Sequence, residues 1–335
     1  MKTAYDSRNG HIDALKGAGI LLVVFGHLIE RPSGQSPLLQ TLYVDIYSFH
    51  MPLFVFLSGI FAREVLKSRD YQKIVWTLFF PLVVFQCIYI ATGRLTAWQS
   101  YSPFTPYWLL WFIASLIGWR ILLPLFASPI GLAVALGGAV LVGYDDGVGY
   151  ALSASRTIYF LPFFVLGHLY GLPLVALARR HRPAFFLLFA VTMLAVTLWW
   201  WHGLDGSMLT GSHDFASAPP SEDYPALARL LVLALSLAAL LGFCALIPAA
   251  SVPLEWLGKR SLSIYLLHGL AVMLLIGAGA ANLVPQALLL PVLAALAVLI
   301  SSAAALLDGP MRRLFSPPAE ASGLVELIVD RRRSR

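Results

Sequence analysis

Stretches of 18 to 22 residues with scarcely a charge recur along almost the whole chain, and that recurrence fixes the fold class before any motif is considered. A run of this length makes a helix of about 30 Å, the thickness of a bilayer's hydrocarbon core. In hydrocarbon every backbone N–H and C=O must find its partner within the protein, so segments this apolar cross as helices. Charged residues make up 12% of the chain, against about 25% in soluble domains, and mean hydropathy is +0.78. The expected fold is all-α: a polytopic integral membrane protein of about ten transmembrane helices. The spans fall near 12–30, 40–62, 73–92, 106–126, 129–143, 157–177, 184–202, 225–247, 260–281 and 286–307, the fifth being short and glycine-rich. Asp6, Arg8, Asp13 and Lys16 precede or open the first run without a small-residue cleavage site, so that helix is expected to be retained. Residues 1–310 read as one membrane domain and 311–335 as a basic cytoplasmic tail.

Lys and Arg set the orientation of such a bundle. The connection after the second span holds Arg63, Lys67, Arg69 and Lys73, that after the sixth holds Arg179, Arg180 and Arg182, and that after the eighth holds Lys259 and Arg260. The loop 203–224 instead carries Asp205, Asp214, Glu222 and Asp223 and no cation. With an even number of spans, both termini and all the basic loops face the cytoplasm of a cell inner (plasma) membrane. The net charge of +6 is thereby assigned to topology and to lipid headgroups, and no nucleic-acid partner is expected. Cys87 and Cys244 lie inside apolar runs and build neither a disulfide framework nor a zinc site, and no metal is expected. The two halves show no match of the kind found in many secondary transporters.

Ionisable residues inside spans are costly, and each is a functional hypothesis. Lys16 and His27 stand eleven positions apart on the first span, which is three turns and about 16 Å of rise. Both therefore point to nearly one face, the amine near the basic end and the imidazole deep at the other. The spacing alone equally allows Lys16 to snorkel to headgroups and His27 to bond a neighbouring helix.

The segment from Arg8 to His27, RNGHIDALKGAGILLVVFGH, resembles the opening helix of the acyltransferase-3 family, in which an Arg or Lys precedes an essential His by this interval. SFHMPLFVFLSGIFARE from Ser48 to Glu64 resembles the subgroup related to fucose 4-O-acetylases. YWLLWFIASLIGWRILLP from Tyr107, FLPFFVLGHLYG from Phe160 and SLSIYLLH from Ser261 are similar to later landmarks of that subgroup, in the same order. The resemblance implies transfer of an acyl group, commonly acetyl from acetyl-CoA, to a hydroxyl of a glycan or its lipid-linked precursor. On that reading the partners are the bilayer, an acyl-CoA and a carbohydrate acceptor. His27 is then the catalytic residue, as a general base or as an acyl carrier. Lys16 is suited to the CoA phosphates, and a separation of about 16 Å is comparable with a pantetheine arm.

His50 precedes Met51 and Pro52, and a proline there frees the carbonyl of Ser48 and bends the helix, a break that often lines a cavity. His50 is accordingly a second catalytic candidate. Asp13, one turn before Lys16, pairs most simply with it and is the third. Arg63 and Lys73, with Arg69, stand where many relatives contact the donor, although topology alone would place them there too. His268 is a candidate for lining the site, His168 for a helix contact, and His213 with Asp214 for a solvated turn. Trp98, Trp108, Trp111 and the 199–201 run read as interfacial anchors. The competing class is a membrane carrier or flippase for a glycolipid or small polar solute, whose buried polar residues would line a transport path.

Overall fold

A computed structural model of the chain describes residues 10–96, 104–145, 147–149, 151–212, 215 and 225–316. Asp6, Arg8, Trp98, His213, Asp214, Glu222, Asp223 and residues 317–335 of the expected tail lie outside the described residues. Among the described residues all regular structure is helical. In chain order the helices are α1 (Gly10–Glu30), α2 (Pro37–Ile60), α3 (Ser68–Ile74), α4 (Phe80–Thr96), α5 (Trp111–Phe126), α6 (Pro129–Leu141) and α7 (Ala154–Arg180). There follow α8 (Arg182–Trp201), α9 (Ser207–Thr210), α10 (Pro225–Leu246), α11 (Val252–Gly258), α12 (Ser261–Gly277), α13 (Gln286–Leu306) and α14 (Asp308–Leu314).

Eight helical segments are long and apolar enough to cross a membrane, one of them α3 and α4 joined through a π-helical turn at Val75–Phe79. A ninth appears if α11 and α12, bent by 78° at Lys259 and Arg260, count as one crossing. The fifth expected span corresponds to α6 and the turn that follows it, Pro129–Tyr144, shorter than the rest. The expected eighth and ninth spans left α11 unread. It is a separate short helix between them, begun by Pro253 in its first turn.

The most apolar stretch of α1 is 72% buried, whereas that of α8 is 11% buried. In lipid a helix that carries ionisable residues is driven to the bundle interior, whereas one apolar on every face can meet the acyl chains. α1 accordingly runs through the middle, packed on α2, α11, α12 and α13, and α8 lies at the periphery on α10. α1 and α2 are antiparallel, with Gly19 against Phe54 and Gly26 against Tyr47. Pro52 sits within α2 without ending it, because the Ser48 carbonyl it leaves free accepts the Ser236 hydroxyl of α10 at 2.6 Å. The freed carbonyl thus ties two helices together and does not open into a cavity.

Two glycine pairs set the closest approaches. A Cβ on Gly59 of α2 would overlap the Phe164 carbonyl of α7, and one on Gly167 would overlap that of Phe56. Gly17 of α1 and Gly258 of α11 stand in the same relation to Leu254 and Asp13. Without an apolar driving force between helices in lipid, small residues that let backbones touch hold such bundles together. These contacts also gather the basic clusters at one end. The Arg63 to Lys73 connection follows α2, the Arg179 to Arg182 turn lies beside His11, and Arg312 donates to the Lys259 carbonyl at 2.7 Å. α1 begins and α14 ends at this end, called below the Lys16 end.

Gly167→Val is expected to destabilise the bundle by about 3 kcal/mol, the upper range for overpacking a tight contact. Gly137→Ala, whose added carbon meets nothing within 4 Å on α6, should be neutral or stabilise slightly. Thermal melts of the two variants in detergent decide the matter, and equal midpoints would contradict the close contact.

Candidate active site

His27 and Glu30 stand one turn apart on the last turns of α1 and so share a face. Antiparallel α2 brings Tyr47 to the same level. Glu30 Oε2 lies 3.1 Å from His27 Nδ1, Tyr47 Oη lies 3.1 Å from that nitrogen, and Tyr47 Oη donates to Glu30 Oε2 at 3.1 Å. A ring nitrogen facing a carboxylate carries the proton, so Nδ1–H donates to Glu30 and Nε2 keeps its lone pair. This is the arrangement in which a carboxylate orients an imidazole as a base. Arg156 of α7 completes the charges, within electrostatic reach of Glu30 and with its guanidinium over the Trp111 ring at 5.0 Å.

Two further imidazoles converge here. His50 Nδ1 donates to the Ile46 carbonyl at 2.8 Å and His268 Nδ1 to the Ile264 carbonyl at 3.0 Å, each one turn back on its own helix. Both are thereby fixed, like His27, with Nε2 as the acceptor. His268 is fully buried and stacks on His27 at 5.5 Å between ring centres. Trp108 meets His27 edge-on at 4.7 Å. Its φ of +42° is a backbone conformation that costs about 1–3 kcal/mol in a residue other than glycine and persists only where surroundings impose it. They do so here. Gln86 of α4 donates to the Thr105 carbonyl at 3.0 Å and accepts from the Tyr107 amide at 2.8 Å, and Leu152 N–H donates to the Phe104 carbonyl at 2.8 Å. Tyr265 reaches the Leu109 carbonyl from α12.

These groups enclose a chamber of about 110 Å³, walled by His27, Glu30, Tyr43, Tyr47, Trp108 and Arg156, with Met51 at its floor. Below it an apolar passage of about 240 Å³ runs along α1 and α2 past Phe54 and Phe112 to Lys16 and Arg120. A wider cavity, about 400 Å³, lies not at His27 but at the Lys16 end, where Lys16, Lys259, Arg312, Ser261 and Ser263 line it. It shares Lys16, Thr77, Ser261 and Leu262 with the passage, so the three spaces follow one another. A side cavity of about 220 Å³ is lined by Arg63, Asp70, Lys73 and Arg120.

The fold therefore brings His27, His50 and His268 together and leaves Asp13 apart. Fourteen positions along α1, about 21 Å, separate Asp13 from His27, and its carboxylate faces the cavity at the Lys16 end. A role for Asp13 at the His27 centre is excluded by that distance. Lys16 faces the passage, its ammonium 4.9 Å from the Phe61 ring centre. Arg63 donates to Asp70 at 3.0 Å, so its guanidinium is already committed in part to a carboxylate that also caps α3. Lys73 lies with it on the side cavity and not on the main line of spaces. Trp108 and Trp111, expected as interfacial anchors, are chamber walls, because the Gln86 clasp draws their segment inward. His168 is absent from the chamber and sits where α7 crosses Gly59. Glu30, Tyr47 and Arg156 escaped sequence reasoning. Glu30 had a signal, a carboxylate one turn beyond a histidine inside an apolar run, whereas Tyr47 and Arg156 meet it only through the fold.

Among the described residues no group of three His, Cys, Asp or Glu side chains converges closely enough to hold a metal ion. A family profile described as an acyltransferase domain matches residues 9–306. An alignment 124 positions long, covering 32% of this chain, is 30% identical to nodulation protein NolL of Sinorhizobium fredii and covers 34% of that protein's length. No solved structure matches the chain.

Nitrogen NMR of histidine-labelled protein near pH 7 should find His27, His50 and His268 all protonated at Nδ1. Glu30→Leu should disturb the His27 tautomer and leave the other two, whose carbonyl partners are untouched. An Nε2–H tautomer at His27 in the unaltered protein would overturn the assignment.

Proposed function

The chain belongs to the acyltransferase-3 family, and on that premise we propose that it is a membrane O-acyltransferase that moves an acyl group, acetyl foremost, from acyl-CoA to a sugar hydroxyl of a glycan or lipid-linked glycan. The observation that carries the reading is the Glu30-oriented imidazole of His27, whose free Nε2 stands in a chamber reached from a basic vestibule. We assign the Lys16 end to the cytoplasm of the inner membrane, since cations concentrate on that side, and count α6 as the tenth crossing. Acyl-CoA would then approach from the compartment that supplies it.

In this scheme Lys16, with Lys259 and Arg312 across the vestibule, attracts the donor's phosphates as point charges and a planar fork respectively. Arg63 and Lys73 would act from the side cavity, and Arg120, which lines both that cavity and the passage, lies between them and the pantetheine arm. The passage is apolar, as a thioester's alkyl neighbourhood requires. The acceptor hydroxyl gives its proton to His27 Nε2 as its oxygen attacks the thioester carbonyl. The new C–O bond forms, the C–S bond breaks, and the proton passes to the departing thiolate. Glu30 holds the imidazole in register and balances the imidazolium. His50 Nε2, on the same chamber, can accept a second hydroxyl of the acceptor and so fix its pose. Trp108, Trp111 and Tyr43 offer aromatic faces to the apolar side of a sugar ring.

Purified protein supplied with radiolabelled acetyl-CoA and candidate glycan acceptors tests the proposal. Label should appear on a hydroxyl. His27→Ala should lower transfer about 10³-fold and Glu30→Gln about 10²-fold in kcat, with membrane insertion intact. Lys16→Ala should instead raise the donor KM. Movement of solute across vesicles with no label transferred would favour a carrier and sink the enzyme reading.

A further inference from the structure

The passage that rises from Lys16 and the chamber around His27 meet at one side chain. Met51 lines both, and among the described residues no other does. It is half-buried although α2 lies inside the bundle, because its thioether faces internal space on two sides. On the reading of this protein as an acyl-CoA-dependent transferase, we propose that Met51 is a gate between donor passage and reaction chamber, and that it sets how long an acyl chain can reach His27.

The neighbours of Met51 cannot move to open the way. His50 is tied by its Nδ1 to the Ile46 carbonyl. Pro52 has a fixed φ, and the carbonyl its ring displaces is bound by Ser236 of α10. The α2 backbone is thereby held on both sides of position 51, and the side chain itself is what remains to swing. Methionine suits that task, being unbranched with three rotatable bonds and an adaptable, polarizable sulfur. A β-branched residue there would be confined to one rotamer in a helix.

Size gives the gate its selectivity. The chamber, about 110 Å³, is smaller than the cavity of about 150 Å³ that accepts one benzene in an engineered protein interior. A two- or three-carbon acyl group with the attacking oxygen fits such a space. A longer chain that trails back toward the passage must occupy the volume that the Met51 thioether fills, since His27, Trp108 and Tyr47 beside it are held by hydrogen bonds or ring contacts. Shortening residue 51 merges passage and chamber into one space, whereas a rigid aromatic ring there closes the junction.

Unreactive S-alkyl thioethers of CoA read this without any acceptor. Affinities of S-ethyl-, S-butyl- and S-hexyl-CoA are measured by calorimetry on the detergent-solubilised full chain, each relative to CoA itself in the same variant. In the unaltered protein affinity should fall from ethyl to butyl. In Met51→Ala the butyl-to-ethyl ratio should rise by about tenfold or more, the scale on which one or two methylenes are discriminated in a fitted pocket. Met51→Phe should lose ethyl binding relative to CoA, and Met51→Leu should keep the original profile. If Met51→Ala does not fold, the Phe and Leu variants carry the test. Identical length profiles in all variants that bind CoA would refute the gate, whereas failure of the unaltered protein to bind CoA at all would refute the donor reading instead.

Discussion

A carboxylate persists at membrane depth only where other groups hold it, and in this protein the holding of Glu30 organises one end of the bundle. His27 Nδ1–H and the Tyr47 hydroxyl both reach one oxygen at 3.1 Å. That geometry needs α1 and α2 in contact at Gly26, and it needs α7 close enough to α2 for Arg156 to face the same chamber. The second requirement is met at the opposite end, where Gly59 and Gly167 let α2 and α7 touch backbone to backbone. A packing feature far from His27 therefore sets the electrostatics beside it.

The same central helix separates two kinds of chemistry. Its first half carries Lys16 among the cations and hydroxyls of a wide vestibule, and its last turns carry an oriented imidazole in a small, aromatic-walled chamber. Between them α1 presents Ile20 and Val23, apolar residues that line the passage. On the proposed reading a charged donor head group is attracted to one end and kept there by the cost of taking it into an apolar channel, so only an uncharged arm extends to the other. The spacing of two residues on one helix thus becomes a physical ruler. The 78° break between α11 and α12 belongs to the same design, since α11 clasps the start of α1 through Gly258 while α12 carries His268 to its far end.

What could be read in the sequence was what a single helix or a charge pattern determines. Apolar run length gave the helices to within a few residues, and eleven positions put Lys16 and His27 on one face because covalent geometry leaves no choice. The clusters of Lys and Arg gather at one end of the bundle, as their alternation along the chain implies. What the sequence could not give was anything decided by contact between segments. Trp108 looks like any interfacial tryptophan until Gln86, on another helix, fixes the loop that carries it. Arg63 looks available for phosphate until Asp70, beyond a break in the helix, is seen beside it. Asp13 stands apart from His27 by a distance along α1 that was already legible, beside the Lys16 with which the sequence pairs it. Glu30 was overlooked because an acid at the end of an apolar run reads first as the onset of a loop.

The charges of the chamber explain why a base can work there at all. In the proposed transfer a carboxylate beside a neutral imidazole becomes a carboxylate beside an imidazolium as His27 takes the acceptor's proton. Interaction between unit charges grows as the effective dielectric falls, so a contact of 3.1 Å between a mostly buried imidazole and a carboxylate about one-third exposed stabilises the second state more than it would in open water. Arg156, held over Trp111 at 5.0 Å, lies within electrostatic reach of the same carboxylate. His50 and His268 commit Nδ1 to a neutral main-chain carbonyl, whereas His27 commits it to a carboxylate. Three imidazoles share the centre, and the position of one glutamate singles out His27 as the base of the proposed transfer.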